Sequence, residues 1–134
     1  MDLLTITQQT TLRAAIDRII PPDQFPGGWE VGVGDYFARQ FTGDLAAFVG
    51  RYTVGLDALD ALARQGDTIP FAALPTAAQD QLLAQIEADV YGGELAQFFA
   101  LLVTHAMEGY YGNPENGGNR DAVAWQMIGF EVRG

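Results

Sequence analysis

Apolar residues recur at spacings of three and four along most of the chain, and Pro and Gly interrupt them. The clearest stripe is Leu45, Phe48, Val49, Tyr52, Leu56, Leu59 and Leu62, one helix face turned to a core. Asp44 is a candidate N-cap for it, Arg64 suits the dipole near its end, and Gly66 suits a C-cap. Upstream, Leu12, Ile16 and Ile19 or Ile20 predict a first helix capped by Thr7 or Thr10. Pro21-Pro22 stop it, because proline lacks an N–H and crowds the preceding turn. Pro26-Gly27-Gly28 makes a second break. Val31, Val33, Tyr36, Phe37 and Phe41 then predict a short helix, with glycines in and beside it weakening the propensity.

After Phe71 and Leu74, Thr76 with Gln79 resembles a capping box. It would open a helix that turns Leu82, Leu83 and Ile86 inward and ends near Gly92-Gly93. A further helix from about Glu94 carries Phe98, Leu101, Leu102 and Met107 and stops before Tyr110-Tyr111. Residues 109–119 hold four Gly, three Asn and one Pro, which predicts a structured loop. A short last helix is expected from Asp121 to about Met127. No run alternates with period two well enough to claim a strand. The expectation is an all-α fold: a compact single domain over residues 1–134, a bundle of about five to six helices with a Gly/Asn-rich C-terminal loop.

Composition removes several function classes. A chain of 134 residues can bury a core without disulfides or metal. It has no Cys, which removes thiol catalysis, Cys-ligated zinc and iron–sulfur clusters together. It also has no Ser, so no Ser-His-Asp site is available. The net charge is -10, and every basic residue is Arg. Such a surface repels nucleic-acid phosphates and anionic membranes, and it attracts a partner with a basic patch. The longest apolar-leaning segment, residues 95–107, contains Gln97, Thr104 and His105, so no membrane insertion is expected. The N-terminus shows no basic region followed by an apolar stretch. As the sequence stands the expectation is a cytoplasmic protein, or a periplasmic one if a signal was removed or is supplied by a partner.

Few residues offer chemistry. His105 and Glu108 can share a helix face, but a di-iron bundle needs Glu-x-x-His on two helices, and this chain has one His and the reverse order. No metal site follows; a core His bonded to backbone or a carboxylate is the plainer reading. Asp57 and Asp60 lie opposite the leucine stripe and read as a solvated face. Trp29 and Trp125 stand beside turn residues, with core packing as the default for each. The loop at 109–119 lacks the Lys and hydroxyl of a phosphate loop and the alternating acids of a calcium loop. It either closes the core or docks a partner, since Tyr110, Tyr111, Asn113, Glu115, Asn116 and Asn119 suit interface chemistry. A small enzyme using acids and His105, or a small-ligand module between helices, are the rival classes.

The segment EGYYGNPENGGNRDAVAWQMIGF, residues 108–130, resembles the signature of the gluconate 2-dehydrogenase subunit 3 family. Its elements are Glu108-Gly109, the aromatic pair Tyr110-Tyr111, Gly112-Asn113-Pro114, Gly117-Gly118-Asn119, Arg120-Asp121, Trp125 and Ile128-Gly129-Phe130. TLRAAIDRIIPPDQFPGG at 11–28 and GLDALDALA at 55–63 are similar to the family as well. The resemblance implies the non-catalytic small subunit of a sugar or sugar-acid dehydrogenase complex. In such complexes a large subunit of the glucose–methanol–choline oxidoreductase type holds FAD and carries out hydride transfer, and a cytochrome c subunit often takes the electrons onward. The small subunit binds no cofactor of its own and supports maturation, stability or export of its partner. Members commonly carry a twin-arginine signal, and this sequence departs from that. The partner-interface candidates are accordingly Tyr110, Tyr111, Asn113, Glu115, Asn116, Asn119 and Trp125, with Trp29 beside the 26–28 turn as a further one.

Overall fold

The computed structural model describes residues 3–22 and 27–112. Within them are six α-helices and two short 3-10 turns, and no strand. The helices are α1 (Ile6–Ile19), α2 (Gly28–Val31), α3 (Val33–Gln40), α4 (Val49–Asp67), α5 (Thr76–Glu87) and α6 (Gly93–Tyr111). The all-α expectation therefore holds. The helix expected at 121–127 lies outside the described residues.

Helix α1 starts earlier than the Thr7 or Thr10 caps imply. Thr5 is the cap: its hydroxyl accepts from the Gln8 N–H at 3.1 Å, and the Gln8 side chain accepts from the Thr5 N–H at 2.9 Å. Thr10 and Thr11 sit inside the helix and donate back to the carbonyls of Ile6 and Thr7. The reciprocal partner at N3 decides the start, and only Thr5 has one. The Gln8 amide also donates to Asp57 on α4 at 3.1 Å, joining the two helices.

The glycine-rich stretch predicted as one short helix is two. Gly32, at φ 100°, ends α2 and begins α3, a left-handed position that a residue with a Cβ rarely adopts. The stop before α2 holds as expected: α1 ends at Ile19, and the Gly28 N–H returns to the Ile20 carbonyl at 2.9 Å. Gly28 lies so close to α1 that a Cβ there would come within 2.7 Å of the Ile16 side chain.

Asp44 caps no helix. A 3-10 turn at Ala46–Phe48 leads directly into α4, so the first N–H groups of α4 need no carboxylate. The helix also runs through Gly66 to Asp67, and Thr68 at φ 58° is the C-cap, its N–H bonded to the Arg64 carbonyl at 2.9 Å. The stripe itself is buried as expected at Leu45, Tyr52, Leu56 and Leu59, and part-buried at Phe48, Val49 and Leu62.

The 3-10 turn Phe71–Ala73 puts the Phe71 ring fully inside. Its backbone lies outside any ladder, so side chains must satisfy it. The Phe71 N–H donates to Asp60 Oδ1 at 2.9 Å, and its carbonyl accepts from Gln79 Nε2 at 2.9 Å. Two expectations fail here for the same reason. Asp60 is buried rather than solvated, its other oxygen accepting from Arg64 at 2.9 Å. Gln79 makes no capping box with Thr76, because α5 begins at Thr76 after a Pro75 cap and the Gln79 amide is committed to Phe71.

Helix α6 packs against each of the other five helices. It continues through Tyr110 and Tyr111 rather than ending before them. Around it lie Phe37 and Phe41 of the α3 end and Tyr52 of α4, with ring centroids 5.1 to 5.5 Å apart; Tyr52 in turn meets Phe98 at 5.4 Å. Such tilted and edge-on pairs contribute beyond simple area burial. Gly55 permits the α4–α6 approach, since a Cβ at that position would run into the Phe98 ring. No described helix is long and apolar enough to cross a membrane.

Candidate functional site

The end of α6 and the residues it packs on carry the polar groups that helices bring together across long sequence distances. His105 is buried, and its Nδ1 lies 2.7 Å from the Tyr52 hydroxyl. The two rings are nearly parallel, 5.8 Å apart, and Phe37 and Phe48 flank the imidazole edge-on. Burial pushes the imidazole below its ordinary pKa; Glu108 opposes that shift and Arg51 reinforces it. Burial also pushes the Tyr52 phenol well above its usual range. Both groups are therefore neutral near pH 7, and in the Nε2–H tautomer the phenol donates to Nδ1. The expected buried His is thus found, but its partner is a phenol rather than backbone or a carboxylate.

One turn further on, Glu108 accepts from the Tyr36 hydroxyl at 3.2 Å. Burial first, and the Glu108 charge second, push the Tyr36 phenol up to about 12. Gly109 makes this possible: a Cβ there would stand 2.7 Å from the Tyr36 ring. Glu108 is thus drawn toward Tyr36, and His105 toward Tyr52. Among the described residues no group of three or more His, Asp or Glu could hold a metal ion. Asp57 and Asp60, the acids singled out on α4, are bonded to Gln8 and to Phe71 and Arg64. His105, Glu108, Asp57 and Asp60 are thus each hydrogen-bonded to other parts of the fold.

The interface candidates separate. Tyr110 is 2% exposed and belongs to the core, whereas Tyr111 is 41% exposed. Their rings meet edge-on at 4.9 Å and 81°. The helix sets this difference, because adjacent residues on α6 point about 100° apart. Trp29 is part-buried on α2, its ring against Gly34 on one side and the Arg13 guanidinium 5.5 Å from its centroid on another. That is a covering role for the α1–α3 corner, in line with the core packing expected of it by default. Asn113, Glu115, Asn116, Asn119 and Trp125 lie outside the described residues.

Sequence reasoning missed the Tyr36–Glu108 and Tyr52–His105 pairs, whose members lie 72 and 53 positions apart. No local pattern could announce them. The Asp60 role had a local sign, the i,i+4 pairing with Arg64 just before a Pro-Phe turn.

No curated protein and no solved structure shows a significant match to this chain. The family model for gluconate 2-dehydrogenase subunit 3 matches residues 6–132, which is nearly all of it. That span includes the Glu108–Tyr111 end of α6 and the segment that follows, and on this ground the chain belongs to the gluconate 2-dehydrogenase subunit 3 family.

Proposed function

We propose that this chain is the non-catalytic small subunit of a sugar or sugar-acid dehydrogenase complex, and that it holds and stabilises an FAD-dependent large subunit during its maturation. The family match over residues 6–132 carries the reading. The site supports it, because His105 and Glu108 of α6 are bonded to tyrosines of other helices, while Tyr111 is 41% exposed where the family signature begins. FAD and the hydride chemistry belong to the partner in this reading, and a cytochrome c subunit is the proposed onward electron acceptor. The docking surface comprises Tyr111 together with Asn113, Glu115, Asn116, Asn119 and Trp125.

The test is co-expression of the chain with the large subunit of its complex. The two should co-elute, with flavin absorbance in the joint peak and none in the isolated small chain. Tyr111→Ala should weaken co-elution while costing the isolated chain's fold less than Tyr110→Ala does, since the ring is 41% exposed and its edge-on contact with Tyr110 is worth about 0.5–1.5 kcal/mol. Anchors of this kind cost about 1–3 kcal/mol of binding when truncated. Dye-linked oxidation of sugars by the small chain alone, persisting through repurification, would refute the proposal.

A further inference from the structure

A groove of about 560 Å³ runs between α5 and α6, with the end of α1 at its margin. Its floor is Leu83 and Phe99, both buried, and Ala84 and Ala100 stand beside them as small exposed side chains. The groove continues along α6 past Val103 to Met107, which is 36% exposed. From Ala96 to Met107 the lining covers three helical turns, roughly 16 Å at the rise of an α-helix. Low alanine walls over an apolar floor admit another backbone at close range, the geometry of a helix laid into a groove.

The rim is acidic. Arg18 contributes the one positive charge, and its guanidinium is committed to Asp80 through two bonds of 2.8 and 3.0 Å. Glu87 is exposed and makes no ion pair among the described residues. Charge therefore sorts the occupants. A second copy brings another net charge of -10 to a chain that already carries -10. The segment 113–134 of the same chain carries Glu115, Asp121 and Glu131 against Arg120 and Arg133, so it offers no excess of positive charge. A basic helix is the complement.

We infer that the α5–α6 groove receives an amphipathic helix of the large subunit, about three turns long, with apolar residues at i, i+3 or i+4 and i+7 and Lys or Arg at its flanks. The inference rests on the accessory-subunit reading above and extends its contact surface along α6, since Met107 and Tyr111, four residues apart, lie on the same side of that helix. Long-range attraction to the acidic chain would speed encounter, and the apolar seam would hold the bound state.

The test uses the complete complex. A benzophenone side chain introduced at position 100 is photo-activated and the cross-linked peptide is sequenced. A large-subunit peptide with helical apolar spacing and at least two flanking basic residues is the expected product. Two substitutions at exposed positions, Ala100→Trp and Glu87→Arg, should each weaken the complex at least tenfold with helicity and melting temperature retained. Cross-linking to residues 113–134, to a second copy, or to a large-subunit segment without that pattern overturns the inference. So does unchanged affinity in both variants; in that case the complex still forms, and the accessory-subunit reading survives. Failure of the unaltered chains to associate at all would overturn both.

Discussion

Replacing Asp60 with Ala should cost the fold about 3 kcal/mol, although the sequence places this residue on the polar side of α4. The carboxylate holds the buried Phe71 N–H at 2.9 Å and Arg64 Nε at the same distance. Loss of a charge-assisted bond and exposure of an unsatisfied buried N–H cost about 1.5–3 and 1–3 kcal/mol when taken separately, and the two overlap at one site. The Arg64 side is worth less, because its side chain is 48% exposed and solvent screens the pair. Arg64→Ala should therefore cost below about 1 kcal/mol, and Asp60→Asn should fall between the two by keeping a neutral acceptor. Thermal and urea unfolding followed by circular dichroism at 222 nm would measure all three. A domain of this size loses roughly 3–5 °C per kcal/mol, so Asp60→Ala should melt about 10 °C early. If it melts within about 2 °C of the parent, or if Arg64→Ala matches it, the buried Asp60–Phe71 bond is not what fixes this turn.

Gly55→Ala should destabilise by about 1–3 kcal/mol through overpacking against Phe98, and Phe98→Leu in the same chain should recover part of the loss, read as a coupling in a double-mutant unfolding cycle. His105 has a lowered folded pKa, so its unfolded state binds the proton more readily. Its contribution to stability is complete above the ordinary value of 6.5 and is lost as pH falls from there through the folded value; urea unfolding between pH 7.5 and 5.5 should show that slope, and His105→Asn should flatten it. At the alkaline end, Tyr36 near 12 and the raised Tyr52 bind protons more tightly folded than unfolded, so stability should fall as pH rises above 10. Phenolate absorbance from these two should then appear together with unfolding by circular dichroism.

Much of this architecture is legible in the sequence, and the failures share a cause. Helical periodicity identifies α1, α4, α5 and α6 because their buried faces repeat within one element. It errs where a side chain serves a distant backbone. Asp60 looks solvated and Gln79 looks like a cap because local patterns cannot reveal that Phe71 is a buried turn residue needing both. The same holds for Tyr110, which reads as loop after a Gly. Gly109 does not break α6; it makes room for the Tyr36 ring, a requirement set by a residue 73 positions upstream. Thr5 shows the opposite situation: Thr5 and Gln8 form a complete local capping signature, and the apolar Ile6 between them hides the start.

The aromatic pair at the end of α6 joins fold and proposed function. If the whole signature served only to close the core, both rings would be buried; if it served only a partner, neither would need to be. The helix instead buries Tyr110 and exposes Tyr111, and their edge-on contact makes the outer ring's orientation depend on the inner one. Tyr110 in turn shares this end of the bundle with Gly109, Tyr36 and Glu108. Order at this end of α6 thus has a source in the core, which would reduce the conformational entropy lost if the proposed partner binds here. Stability and binding should accordingly separate by residue. Tyr110→Ala should lower the melting temperature by a large core-truncation cost of about 3–5 kcal/mol, and should weaken large-subunit binding as a consequence. Tyr111→Ala should cost the fold only the edge-on contact, about 0.5–1.5 kcal/mol, and weaken binding out of proportion to that loss. If Tyr110→Ala and Tyr111→Ala change melting and binding in the same proportion, this end of α6 is not divided between the two tasks.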